Sequence, residues 1–376
     1  MFKLDIENIV KKKFEVIKNL RKELNDNAEL SFKEYKTSDI IKKFLDSLNI
    51  ETKTFVSTGV VGILNNDKNC IAVRADMDAL PVNGVSHACG HDFHMAVVLG
   101  TALVLKEIGF NKNVKFIFQP GEEDAGGALP MIEEGVLENP NVKYIIGLHV
   151  WPTLEVGKIQ VTSGASMGSV DDFSVKFLGK GGHAAMPFLC KNPIYPTIDF
   201  IQSFNNKILT ENDVLNPFIV TFSSIKAGEA CNVISDESKV LGTVRTFDNA
   251  LRDKVKIDLT NAAILSGKKY NCDAKVEYEV GYPPLINNKA LTDSFVKVTK
   301  DIIGEENVLP LNKSFAAEDF SFFAEKVPSV HFRLGISEGE KGNENLHSAK
   351  FNGSDNALLY GVLIVVNFIL KMADKI

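Results

Sequence analysis

Nine consecutive residues, Ser86-His87-Ala88-Cys89-Gly90-His91-Asp92-Phe93-His94, hold three of the chain's seven histidines, one of its five cysteines and an aspartate. Thiolate and imidazole are the donors that zinc and its first-row neighbours prefer, with carboxylate as a third choice. Cys89 and His91, two residues apart at a turn entering a helix, can face one ion. His94, one helical turn beyond His91, reads as a donor behind the ligands or a core histidine before it reads as a ligand. The segment reads as half of a metal site whose rest must come from elsewhere in the chain, or else as a buried cysteine beside a capping histidine.

Three apolar, strand-like runs end in suitable groups. Ile71-Ala-Val-Arg74-Ala-Asp76-Met-Asp78 ends in two aspartates, Phe116-Ile-Phe-Gln119-Pro-Gly121-Glu122-Glu123 in two glutamates, and Tyr144-Ile-Ile-Gly147-Leu-His149 in a histidine. Sites in open α/β sheets form at the carboxyl ends of strands, so the convergence outweighs any single motif. The adjacent carboxylates of Glu122 and Glu123 do not easily point the same way. One can bind a metal while the other takes a proton from water that the ion has acidified to a pKa of about 7, or the pair belongs to a solvated acidic loop running on through Asp124. Asp76 or Asp78 can orient a ligand imidazole by accepting its N–H, or can simply cap a turn. His149 and His347 are lone histidines that gain meaning only from the other groups. Gly179-Lys-Gly-Gly-His183-Ala-Ala185 lacks the strand–helix context and spacing of a phosphate loop. A histidine on such a turn can hold a developing oxyanion, or the turn is only a turn.

Two helices are expected in the first ~48 residues, broken near Asn25 to Ala28. The following pattern predicts a strand at Cys70–Ala75, a helix at Phe93–Ile108, a strand at Val114–Gln119, a helix at Gly127–Glu134 and a strand at Tyr144–Val150. That β-α-β-α order predicts an α/β fold with a mostly parallel sheet between helices. The pattern then changes. Phe173, Val175 and Phe177 alternate with Ser174 and Lys176, and Val276, Tyr278 and Val280 alternate with Lys275, Glu277 and Glu279. These are strands with one exposed face. With strands at 218–225 and 240–247 and helices at 193–209 and 248–265, they form a smaller α+β sandwich inserted in the chain. The division expected is 1–167 (catalytic, first part), 168–282 (inserted lid or dimerisation domain) and 283–376 (catalytic, second part).

A length of 376 residues suits two domains. A net charge of −6 and a pI near 5.7 argue against a nucleic-acid partner. The five cysteines show no paired spacing, which fits a reducing, cytoplasmic compartment. The N-terminal Met-Phe-Lys-Leu-Asp-Ile-Glu is too charged for a signal peptide. The longest apolar run, Ala357–Val366, is half of the roughly 20 residues that a membrane span needs, so a buried helix and no membrane partner are expected.

Taken together these motifs resemble the dinuclear metal-dependent amidohydrolases and peptidases related to aminoacylase and carboxypeptidase G2. The nearest branch holds hippurate hydrolase, plant auxin-conjugate hydrolases and N-acetyldiaminopimelate deacetylase. The matching stretches run in family order: Glu29-Leu-Ser-Phe, Arg74-Ala-Asp-Met-Asp-Ala-Leu-Pro81, His87-Ala-Cys-Gly-His-Asp92, Phe118-Gln-Pro-Gly-Glu-Glu123, Gly147-Leu-His149, Gly179 to Ala185, Asn232-Val-Ile, Gly242-Thr-Val-Arg245, Glu318-Asp-Phe-Ser321 and Leu346-His347. The resemblance implies Cys89, His91, Glu123, His149 and His347 as ligands of two divalent ions (Zn, Mn, Co or Ni) per subunit. Glu122 would be the general base, supported by Asp76 or Asp78. His183 would reach the site of a partner subunit, implying a homodimer formed through the inserted domain, and Asn232 and Arg245 would shape the substrate or dimer face. The activity implied is hydrolysis of N-acyl amino acids, with N-acetyldiaminopimelate deacetylation, or cleavage of dipeptides or C-terminal residues, as alternatives. The chain departs from the family at three places: the segment Val82–Ser86 is short, Asn27-Ala28 stands where His-Pro is common, and Phe188 stands where a histidine often follows.

Overall fold

The computed structural model describes residues 5–65, 67–124 and 126–375. The chain divides into two compact units. One comprises Met1–Ser166, Ile286–Asn312 and Asp319–Ile376, the other Met167–Leu285 and Lys313–Glu318.

The first unit is built on a sheet that has, among the described residues, eight strands. Five are β1 (Glu51–Phe55), β2 (Gly59–Leu64), β3 (Asn69–Asp76), β4 (Val114–Gln119) and β5 (Asn141–Glu155), in the order β1-β2-β4-β3-β5. Ser329–Ser337, Ile159–Val161 and Val308–Pro310 follow across the sheet. β4, β3, β5 and Ser329–Ser337 are mutually parallel. Every residue of β4 is buried, as is every residue of β3 after Asn69. Such strands read as unbroken apolar runs because helices or loops cover both faces.

Helices α1 (Ile6–Asp26), α2 (Tyr35–Ser47), α3 (His91–Glu107) and α4 (Ala128–Glu133) surround this sheet, with Ala357–Met372 the last long helix. α3 is buried almost all round, from His91 to Leu105, so it is an interior helix rather than an amphipathic surface one. Its core joins Phe93, Val97 and Leu105 to Phe116, Ile146, Val362 and Phe368. No helix among the described residues is long and apolar enough to cross a membrane.

Two features of the sheet differ from expectation. β5 runs to Glu155, so His149 lies inside it rather than at its end. The extension exists because Ser329–Ser337 pairs in parallel with β5 past His149, through Val150 and Trp151, with a register shift before Ser337. The β1–β2 hairpin adds an antiparallel edge.

The second unit has a four-stranded antiparallel sheet in the order Ile219–Ala227, Glu237–Arg245, Asp171–Leu178, Asp273–Val280. Burial alternates along Asp171–Leu178, and helices Ile194–Glu211 and Asn249–Lys269 pack on its apolar face around Phe173, Phe177, Phe200 and Leu259. Its limits depart from the expected 168–282 in two ways. The unit continues to Leu285, and Lys313–Glu318 groups with it rather than with the rest of 283–376. The cause is local: Gly168 N–H reaches the carbonyls of Ser314 and Ala316, and the Phe315 ring lies 4.5 Å from that of Phe247.

Candidate metal centre

Gly90 fixes the entry to the site. Its φ of +84° is left-handed, and a Cβ there would come 2.3 Å from Val150 Cγ2. Only glycine fits, and the bend it permits turns Cys89 and the first residue of α3, His91, toward the end of β3 and the middle of β5. Asp92 is tied down by Arg21 at 2.7 Å and Asn25 at 2.9 Å, both on α1. The start of α3 is therefore anchored on one side and open to the site on the other.

The five residues that the resemblance implies as ligands come together. Cys89 Sγ is 3.4 Å from His149 Nε2 and 3.3 Å from His347 Nε2. Glu123 Oε1 is 3.4 Å from His347 Nε2 and 3.7 Å from His91 Nε2. They form two overlapping groups, Cys89/His91/His149 and Cys89/Glu123/His347, with donor atoms within 4.8 Å of one another. Cys89 belongs to both. Glu122 joins His91 and Glu123 in a third group within the same limit.

The imidazoles are held in fixed tautomers. His91 Nδ1–H donates to the Asp78 carbonyl at 2.9 Å, and His149 Nδ1–H donates to the Val150 carbonyl at 2.6 Å. His149 Nε2 is thereby turned toward Cys89, and His91 Nε2 toward Glu123. Burial, reinforced by His94, holds His149 well below the usual histidine range, so its ring is neutral and able to ligate. Burial pushes the Cys89 thiol well up. Burial opposes charge on His91 too, but Asp76 and Asp78 outweigh it and raise His91 well above its ordinary value.

Asp76 and Asp78 have separate duties. Asp76 Oδ1 accepts from His94 Nδ1 at 2.5 Å, and His94 Nε2 accepts the Val150 N–H at 2.9 Å. Both nitrogens of His94 are thus occupied, which makes it a buried link between β3 and β5. Asp78 Oδ2 accepts from Ser31 Oγ at 2.7 Å and from the Glu123 N–H at 2.9 Å, so it fixes the backbone at Glu123. His87 is buried but stands outside the donor groups, and burial lowers its pKa.

A buried network beneath the site joins Arg74, Gln119 and Asp319, which lie in the matching motifs but have no role implied there. Arg74 donates to Gln119 Oε1 at 2.8 Å, Asp76 Oδ2 at 2.9 Å and Asp319 Oδ1 at 2.8 Å. Asp319 also accepts from Gln119 Nε2 at 2.7 Å and from the Ala128 N–H at 3.0 Å. One carboxylate therefore clasps both ends of the segment carrying Glu122 and Glu123. Gly127 closes the same segment tightly, since a Cβ there would lie 1.8 Å from the Pro120 carbonyl oxygen. The signal that points to this network is a charged Arg74 inside an apolar strand, because buried charges are found paired.

His183, Asn232 and Arg245 lie in the second unit. His183 pairs with Val233 in a two-stranded ribbon, and the Ala184 N–H donates to the Asn232 carbonyl at 3.1 Å. Arg245 donates to the Val244 carbonyl at 3.2 Å and also to Thr243 Oγ1.

The donor set fits a divalent first-row cation. Donors around one tetrahedral ion at ~2.0–2.3 Å sit roughly 3.3–3.8 Å from one another, which matches the spacings here. Buried His91 Nε2, Asp78 Oδ1 and Glu123 Oε1 have no hydrogen-bond partner among the described residues. Buried polar atoms are normally satisfied, so the orphaned His91 Nε2 and Glu123 Oε1, both in donor groups with Cys89, ask for a cation.

Comparison with known proteins agrees with this geometry. Residues 72–371 match the family Peptidase family M20/M25/M40. The chain is 34% identical to Thermostable carboxypeptidase 2 of Saccharolobus solfataricus over 98% of each protein. It is 33% identical to IAA-amino acid hydrolase ILR1-like 2 of Arabidopsis thaliana, covering 96% of this chain and 87% of that protein. Among solved structures, a Bacillus subtilis protein called a dinuclear metal binding peptidase from the M20 family superposes with a TM-score of 0.84 at 30% identity, covering 97% of this chain and 100% of the other. The chain belongs to peptidase family M20/M25/M40 and is a hydrolase.

Proposed function

We propose that this hydrolase cleaves the amide bond of N-acyl amino acids, with two divalent metal ions per subunit, releasing a carboxylic acid and a free amino acid. The observation that carries the reading is the convergence on Cys89, which is common to both donor groups. Cys89, His91 and His149 would hold one ion and Cys89, Glu123 and His347 the other. The names of its relatives, an amino acid conjugate hydrolase and a carboxypeptidase, support a small substrate with an amide next to an amino acid.

Bound ions of this kind polarise the acyl carbonyl and lower the pKa of water to about 7. Glu122, beside His91 and Glu123, takes a proton from the attacking water and delivers it to the departing amine nitrogen. Asp78, by holding the Glu123 backbone, keeps the neighbouring carboxylates in distinct roles. His183, supplied by the partner subunit of a homodimer formed through the inserted unit, stabilises the oxyanion of the tetrahedral stage. Asn232 and Arg245 shape the substrate or dimer face. Exposed Ile225 and Leu241, on neighbouring strands of the second unit, are apolar side chains suited to such a contact.

The test is amine release from N-acetyldiaminopimelate, hippurate, other N-acyl amino acids and dipeptides, with metal content measured on the same sample. Cleavage across N-acyl amino acids is the expected result. Selective deacetylation of N-acetyldiaminopimelate would assign the narrower activity, and cleavage of dipeptides alone would replace the reading with a peptidase.

A further inference from the structure

Arg333 sits within the strand Ser329–Ser337, only 6% exposed. Among the described residues its guanidinium has no hydrogen bond or ion pair, and its buried Nη2 is unsatisfied. Burial holds it at about pKa 10, with no acidic neighbour contributing to the shift. An isolated buried charge costs several kcal/mol, and the other deeply placed cations among the described residues have partners, Lys115 Nζ donating to three backbone carbonyls. Arg252 has Asp171, Arg21 has Asp92, and Arg74 has Asp76 and Asp319. Among the described residues Arg333 is the exception, and it stands beside the candidate metal centre.

Its position is set by the sheet. Arg333 is the register partner of His149 on the adjacent parallel strand, and strands lie ~4.8 Å apart, so the two side chains leave the same face side by side. The guanidinium lies over the Trp151 ring, 3.5 Å from its centroid, and Trp151 meets His149 edge-on at 6.1 Å. Stacking on an indole orients the planar fork and leaves its N–H edge for an acceptor. Half-buried Trp151 provides the approach.

We propose that Arg333 is an anion receptor that takes a carboxylate of the substrate, with Trp151 as its platform, one strand away from the metal ligand His149. A guanidinium fork matches a carboxylate in a bidentate pair. The receptor selects substrates that carry an acidic group on the acyl portion or on the amino-acid side chain. Calling the anion a substrate group rests on the hydrolase reading above. Recognition of the anion itself does not.

Trp151 is the chain's one tryptophan, so its fluorescence reports this site alone. The metal-loaded protein is titrated with succinate and with uncharged succinamide, as wild type, Arg333→Met and Arg333→Lys. The expected result is a saturable change with succinate, none with succinamide, at least tenfold weaker affinity in Arg333→Met and intermediate affinity in Arg333→Lys. Removing an unpaired buried charge should also raise the Tm of Arg333→Met. A succinate response that survives Arg333→Met, or no response in wild type, overturns the proposal. So does a fall in Tm with unchanged succinate affinity. If Arg333→Met does not fold, the Arg333→Lys affinity decides, and a value equal to wild type overturns it.

Turnover then separates the two sources of carboxylate. N-succinyl is compared with N-acetyl on one amino acid, and N-acetylglutamate with N-acetylglutamine. The pair whose KM values differ in wild type and converge in Arg333→Lys names the acidic end, and no difference in either pair contradicts the substrate role. An Arg333-dependent fluorescence response without any turnover would count against the hydrolase reading alone. Turnover with a response that ignores Arg333 would count against this inference alone.

Discussion

Glu122 and Glu123 are adjacent and chemically identical, yet their surroundings separate them. Glu123 reaches His347 and His91, and its backbone is pinned by Asp78, so its carboxylate is committed to the donor group. In the proposed reaction Glu122 is the proton carrier. Glu122→Gln should lower kcat by about 10²–10⁴-fold, the usual contribution of a general base, with metal content unchanged. Metal analysis alongside initial rates checks this, and parallel loss of both would remove Glu122 from the role. Cys89→Ala should behave oppositely, losing metal first, because it removes the donor common to both groups. Full occupancy in that variant would strike Cys89 from the ligand set. These residue types were legible in the sequence because thiol, imidazole and paired carboxylates are scarce and clustered. The separate duties of Asp76 and Asp78 were not, because only the folded chain shows that Asp76 meets His94 while Asp78 meets His91 and Glu123.

The elements place these groups through two tight turns and one buried clasp. Gly90→Ala would force a left-handed φ on a residue with a Cβ, at roughly 1–2 kcal/mol, and would drive that Cβ into Val150. The expected outcome is a chain that loads metal poorly, read by metal analysis after reconstitution. Normal loading would show that the turn has slack. Asp319 holds Gln119 and Ala128 at the two ends of the Glu122–Glu123 segment. Asp319→Ala leaves Arg74 short of one counter-charge and should cost about 3–5 kcal/mol in unfolding experiments. Asp319→Asn, which keeps an acceptor, should lose less stability and yet lower kcat more than it raises KM. A drop in Tm with unaltered kcat would make the clasp purely structural. β3, β4 and α3 were legible as apolar runs of the right length. The β1–β2 hairpin is not, since Glu51–Phe55 is a polar edge strand without a buried residue. The length of β5 is hidden too, because Trp151-Pro152-Thr153 reads as a stop, while a parallel neighbour carries the strand onward.

At the scale of the whole molecule, the fold class and the insertion follow from a change of period, from buried runs to strict alternation. The return of Lys313–Glu318 to the second unit does not, because backbone hydrogen bonds and one aromatic pair decide it. The converging, unsatisfied atoms of His91 and Glu123 predict that bound ions stabilise the first unit. A divalent ion at a hundredfold its Kd should stabilise that unit by about 2.7 kcal/mol, so chelation should lower the Tm, and a Tm indifferent to chelator would contradict the site. If His183 serves the partner's centre, mixing Glu122→Gln with His183→Ala subunits should restore roughly a quarter of wild-type turnover by pairing one intact site per mixed dimer. No recovery after verified subunit exchange would place His183 elsewhere in the mechanism. The central claim is that two ions held around Cys89 and a proton carried by Glu122 hydrolyse an N-acyl amino acid. The most direct measurement is amine release by wild type and Glu122→Gln, with metal counted on both samples. About two ions per chain in each, with turnover in wild type only, is the predicted result. Equal turnover in the two, or hydrolysis by wild type stripped of metal, would contradict the account.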